Sequence, residues 1–179
     1  MAAAAYAGQR ATAGQLGRVT ALLTTGSVTN SSSETTIGTF SAGYPANDGA
    51  VSGGYLFYVT GTFDTTGTPT LELRLYMASV AAGNRIWDSG ALATGGTNTV
   101  QPFWIRAFLL VTATGSSGTF DAGGDAQGAN WNAAAGVFSN FTASAIDTTA
   151  THDIVLTAKY SAASSSNTCR TTAGSALRM

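Results

Sequence analysis

Thr70-Leu71-Glu72-Leu73-Arg74-Leu75-Tyr76-Met77 decides the fold class. Leu71, Leu73, Leu75 and Met77 alternate with Glu72, Arg74 and Tyr76. In an extended chain successive side chains point to opposite faces, so this pattern predicts one buried and one wet face. That is the mark of an antiparallel strand with a solvated side. Glu72 and Arg74 then share the wet face, where opposite charges two residues apart read as a surface pair rather than as catalytic groups.

Outward from this strand the same grammar repeats. The turn Asp64–Pro69 precedes it, and before that Tyr55–Phe63 (YLFYVTGTF) is aromatic and β-branched, which predicts a central strand. RVTALLT (residues 18–24) and ETTIGTF (34–40) are further strand patterns, and GYPANDG (43–49) is a dense turn. On the C-terminal side, PFWIRAFLLVTA (102–113) is the longest apolar run. Its β-branched and aromatic content predicts a long buried strand with Trp104 in the core. TFDAGGDAQGA (119–129) reads as a glycine-weakened strand, VFSNFTASAI (137–146) as the next, and DIVLTAKY (153–160) as another. Thr168–Thr172 closes the sheet and the tail from Ala173 frays.

Composition agrees. Ser and Thr make up about a quarter of the 179 residues, with 22 Gly and only one Lys. Thr fits a pleated surface, and Gly and Ser fit the turns between strands. The expectation is an all-β protein: an antiparallel two-sheet β-sandwich, jelly-roll-like, of about eight to ten strands, spanning residues 18–172. A small-residue arm (1–17) precedes it and a tail (173–179) follows. The arm shows no strand or helical period. It is expected to be flexible alone and to anchor on a partner through Tyr6, Arg10 and Leu16.

Charge narrows the function. Charged residues are 9% of the chain and the formal net charge is -1. The eight Lys and Arg are scattered, whereas nucleic-acid binding needs them clustered. Weak repulsion between copies favours close self-association. No apolar run reaches the length of a membrane span. MAAAAYAGQR lacks the basic and apolar regions of a signal peptide. Cys169 stands alone, which leaves no internal disulfide and no cysteine metal cluster.

Catalytic constellations are sparse. His152 is the only histidine, and no serine sits in a G-x-S-x-G context. Three of the nine carboxylates, Asp48, Asp64 and Asp147, fall in Asp-Gly or Asp-Thr turns. Asp121-Ala-Gly-Gly-Asp125 lacks the alternating oxygen ligands of a calcium loop. The expectation is therefore no enzyme, no cofactor and no metal. Trp87, Trp104 and Trp131, with Tyr44, Tyr55 and Tyr58, could instead form a sugar-stacking platform, or else fill the core or an interface. Trp131, in the loop-like GANWNAAAG, is the candidate exposed aromatic for an interface or a glycan.

Four stretches occur in an order that resembles a family of structural proteins of tailed-bacteriophage virions. They are SSSETTIGTFS (31–41), TFDTTGTPTLELRLYM (62–77), RIWDSGAL (85–92) and IDTTATHDIVLTAKYSAASSSNT (146–168). The resemblance covers roughly residues 26–172, and departs from the family after Asn167, where Thr168-Cys169-Arg170 replaces an apolar run. It implies a jelly-roll-like sandwich on the virion exterior, as a capsid decoration protein, a head fibre or a tail-associated module. Its partner would be the major capsid protein, and it would be made in the bacterial cytoplasm and assemble as a homo-oligomer, a trimer by symmetry. No catalytic residues come with it. The competing expectation is a carbohydrate-binding module, tail-associated or free-standing, for host-surface glycans.

Overall fold

The computed structural model describes residues 18–48, 53–131 and 139–179. The described residues form twelve strands and one short 3-10 turn at Ala82–Asn84. The strands are β1 (Arg18–Thr25), β2 (Ser27–Thr29), β3 (Thr35–Tyr44), β4 (Gly54–Thr65), β5 (Thr70–Met77) and β6 (Arg85–Asp88). They continue with β7 (Leu92–Ala93), β8 (Asn98–Ala113), β9 (Gly118–Gly128), β10 (Ser139–Ile146), β11 (His152–Tyr160) and β12 (Thr168–Arg178). All pairings are antiparallel, in the order β10-β9-β8-β4-β12-β1-β3-β11-β5-β6, with β2 beside β12 and β7 beside β5.

The all-β, antiparallel expectation is met. The finer picture differs, because one continuous sheet replaces two separate ones. Strand β1 makes the join. Its first half pairs with β12 (Val19 opposite Leu177) and its second half with β3 (Leu23 opposite Phe40). The partner changes between Leu22 and Leu23, and a register shift lies just before it, between Val19 and Ala21, as bulges do near a strand's change of sheet. At the far end β10 packs against β6, so the sheet nearly closes into a barrel.

The strand count exceeds the expected range because β2, β6 and β7 are only three, four and two residues long. A period of two cannot be read from so few residues. The C-terminal segment also differs from the expected fraying tail. Strand β12 does not end at Thr172 but runs to Arg178, held between β4 and β1 with Ala176 opposite both Phe57 and Ala21. Small residues at 173–176 look like a fraying tail in sequence, yet the slot between two neighbouring strands satisfies their backbone groups.

The interior is filled by large rings. Phe40, Tyr44, Tyr55, Phe57, Phe63, Trp87 and Phe120 are all buried, each burial contributing roughly 1.5–3 kcal/mol before entropy. Tyr44 stacks obliquely on Tyr55 at 5.2 Å and meets Phe120 edge-on at 5.7 Å. Such density forces glycine at Gly61, where a Cβ would lie 2.3 Å from the Phe103 ring and 2.4 Å from the Arg170 carbonyl oxygen.

The serine-rich turn after β11 is organised by Asn167, which is buried. Its Oδ1 accepts from the Thr66 amide at 2.8 Å, and its Nδ2 donates to the Ala162 carbonyl at 2.9 Å. The turn is thereby tied to the β4–β5 loop.

Candidate functional site

Strand β8 was expected to be buried throughout. It instead alternates: Phe103, Ile105, Ala107, Leu109 and Val111 point inward, while Trp104, Arg106, Phe108 and Leu110 point outward. Its apolar run is long because both faces carry apolar residues, and only one of those faces is the core. Neighbouring β4 alternates in step, with Phe57, Val59 and Phe63 inside and Leu56, Tyr58, Thr60 and Thr62 outside.

Antiparallel register then aligns the outer side chains into rows. One row is wholly apolar: Val19 on β1 faces Leu177 on β12, Leu177 faces Leu56 on β4, and Leu56 faces Phe108 on β8. Val19 is 52% exposed, Phe108 39%, and the nearby Leu22 72%. Leu110 and Met179, also exposed, flank the row at the Gly54 end. A contiguous apolar surface of this kind marks an interaction site rather than the scattered apolar residues of an ordinary surface.

The next row begins with Leu22 opposite Ser175 and is polar from there on. Ser175 faces Tyr58, Tyr58 faces Arg106, and Arg106 faces Asp125 on β9. The guanidinium binds Asp125 through two bonds, Nε to Oδ1 at 3.0 Å and Nη2 to Oδ2 at 3.2 Å. That hydrogen bonding and the carboxylate charge raise the pKa of Arg106.

Beyond this pair the strands enclose a groove of about 540 Å³ over Thr60, Thr62, Trp104, Gln127 and Thr172, floored by Phe103 and Gly128. The Trp104 ring lies nearly parallel to Tyr58, with centroids 6.5 Å apart and planes 15° apart. The Thr60 and Thr172 hydroxyls bond to each other at 3.1 Å, and Arg170 Nε donates to Thr62 Oγ1 at 2.9 Å. Trp104, expected in the core, belongs to this surface.

Trp131, expected as the exposed aromatic, is half-buried and stacks on Phe63 at 5.8 Å and Phe103 at 6.3 Å. A loop-like neighbourhood hides such packing in sequence, because the two rings that hold Trp131 lie far off on β4 and β8. Tyr44, Tyr55 and Trp87 are interior. The aromatic surface is therefore Tyr58 and Trp104, and period-two counting along β4 and β8 together carries the signal for it. Tyr6, Arg10 and Leu16 lie outside the described residues.

The opposite wall of the near-barrel holds the main charged cluster. Arg74 binds Glu34 at 2.8 Å, Glu72 at 2.5 Å and Asp88 at 3.0 Å, and Arg85 also reaches Asp88, at 2.7 Å. The expected Glu72–Arg74 pair is thus one edge of a larger network. Burial pushes the Glu34 carboxyl up, but bonds from Thr157 and Tyr76 and the Arg74 charge outweigh it and hold the group below its usual 4.5. Burial and the bond to Glu34 push Tyr76 up to about 12. Glu34, held ionised by those bonds and the Arg74 charge, has no proton to give, so this cluster reads as a clasp joining the chain just before β3 to β5, β6 and β11.

His152 Nε2 lies 2.6 Å from the Asp147 carbonyl oxygen, within the turn before β11. Asp125 is committed to Arg106, and no group of three or more His, Cys, Asp or Glu among the described residues could hold a metal ion. Cys169 is fully buried, which pushes its thiol pKa far up. Compared with protein families, with curated proteins and with solved structures, the chain matches none.

Proposed function

We propose that this chain is a non-enzymatic structural protein of a tailed-phage virion, a capsid decoration protein that binds the major capsid protein on the particle exterior. The observation that carries the reading is the outward apolar row Val19–Leu177–Leu56–Phe108, its two ends exposed and Leu177 and Leu56 half-buried. A wall of paired strands bearing such a row presents a firm, nearly uncharged surface, suited to burial against a second protein. The scarcity of charge lowers the desolvation cost of that contact. The motif resemblance supplies the identity of the partner, and symmetry favours a closed homotrimer.

The same reading takes the topology to be a jelly roll. In its support, the strand order divides at the β1 corner into two rows of four, β1-β12-β4-β8 and β3-β11-β5-β6. That interleaving of early and late strands is the order a double Greek key produces, with the β9–β10 hairpin extending the first row.

Sedimentation with capsids that lack the protein tests the proposal. The chain should pellet with them, and Phe108→Asp and Leu22→Asp should abolish this while leaving the circular dichroism spectrum unchanged. A chain that stays in the supernatant at every ratio refutes capsid binding.

A further inference from the structure

We propose that the groove around Trp104 is a saccharide-binding site for a pyranose chain. This goes beyond the assembly role and uses a different part of the same face. Phe108 and Trp104 are four residues apart on β8, about 13 Å at strand rise. The Arg106–Asp125 pair stands between them. A partner seated on the apolar row leaves the groove open.

Three observations point to a sugar. The first is the ring pair. Tyr58 is 41% exposed, Trp104 is half-buried, and their planes lie within 15° of each other. A π-face on a wet surface suits a ligand that is itself apolar on one side and polar at its rim. A pyranose has this character, with C–H bonds on its faces and hydroxyls round its edge.

The second is the polar rim. Hydroxyls of Thr60, Thr62 and Thr172 and the exposed Gln127 amide line the groove with Trp104, and Tyr58 stacks on Trp104 beside it. Each hydroxyl both donates and accepts, and an amide does the same through separate atoms. That set matches sugar hydroxyls, which need both. Thr62 Oγ1 already accepts from Arg170, so its own proton is directed to another acceptor.

The third is charge. Among the described residues no ionisable side chain lines the groove; nearby, Arg106 is paired with Asp125, and Arg170 donates one bond to Thr62 from the rim. A quaternary ammonium would find no carboxylate among the described lining residues.

The groove lies mid-sheet, where β4 is paired on both sides by β8 and β12, so a peptide cannot add as a further strand. Its volume of about 540 Å³ falls within the range of small-molecule sites.

The test is fluorescence titration of the full chain with cellohexaose, maltohexaose and chitohexaose, with choline as the cationic control. At least one neutral oligosaccharide should perturb tryptophan emission saturably. Trp104→Ala should weaken that binding by roughly tenfold or more, the scale of one lost aromatic stack. Tyr58→Phe should keep the affinity and Tyr58→Ala should lower it. Thr172→Val, which retains shape and removes a hydroxyl, should weaken binding without lowering Tm. Phe108→Asp should bind sugar as the parent does, which separates this site from capsid docking. No saturation by any of the three sugars up to about 10 mM, equal binding by Trp104→Ala, or saturation by choline alone overturns the proposal.

Discussion

Leu56 on β4 and Phe108 on β8 stand directly opposite each other on the outer face of the sheet, and Leu177 lies on the other side of Leu56. The core already holds the inward partners Phe57 and Ala107. The outer pair is therefore surplus to folding, and the account assigns it to binding.

Phe108→Asp should lower stability modestly, by about 1 kcal/mol, through the lost pair with Leu56 and the lower strand preference of Asp. Tm by differential scanning calorimetry checks this. A large loss would mean that Phe108 serves the fold instead.

The two tryptophans make an internal contrast. Trp87 is fully buried, whereas Trp104 opens onto the groove. Trp87→Ala should cost about 3–5 kcal/mol through the cavity it leaves. Trp104→Ala should cost much less. Urea unfolding of both variants decides the order.

Removing residues 173–179 should prevent cooperative folding. That segment carries Ala176, Leu177 and Arg178 between β4 and β1, and Arg178 pairs with Asp48. Loss of a sigmoidal thermal transition in the truncated chain is the expected result. A retained transition would mean that these residues are dispensable to the sheet.

Glu34 gives a pH dependence of known sign. Its folded pKa lies below the ordinary 4.5, so the folded state binds the proton less readily than the unfolded chain. The contribution to stability is present above about pH 4.5 and is lost as pH falls through the folded value. Tm measured from pH 6 to pH 3 should fall on the acid side, and Glu34→Gln should flatten that fall. An unchanged slope would mean that other carboxylates govern it.

The fold class was legible because TLELRLYM and YLFYVTGTF each carry a period of two over enough residues to average out exceptions. β5 appears with the bounds the alternation predicts, Thr70–Met77. What was not legible depends on partners remote in sequence. The corner in β1 arises because β12 and β3 compete for one strand, and the chain near Val19 holds no trace of either. β8 misled for a different reason: Trp104, Phe108 and Leu110 are as apolar as their inward neighbours, so hydrophobicity alone hid the outer face. The surface became visible only once register set Leu177, Leu56 and Phe108 side by side. Trp131 failed likewise, since Phe63 and Phe103 pack on it from strands far away.

The most direct test of the central claim is co-sedimentation of the chain and its Phe108→Asp variant with capsids lacking the protein. The account predicts that the parent pellets at a fixed ratio to the capsid subunits and that the variant, equally folded, stays in solution. Equal pelleting of the two would contradict the assignment of the Val19–Leu177–Leu56–Phe108 row, and no pelleting by either would contradict the decoration role itself.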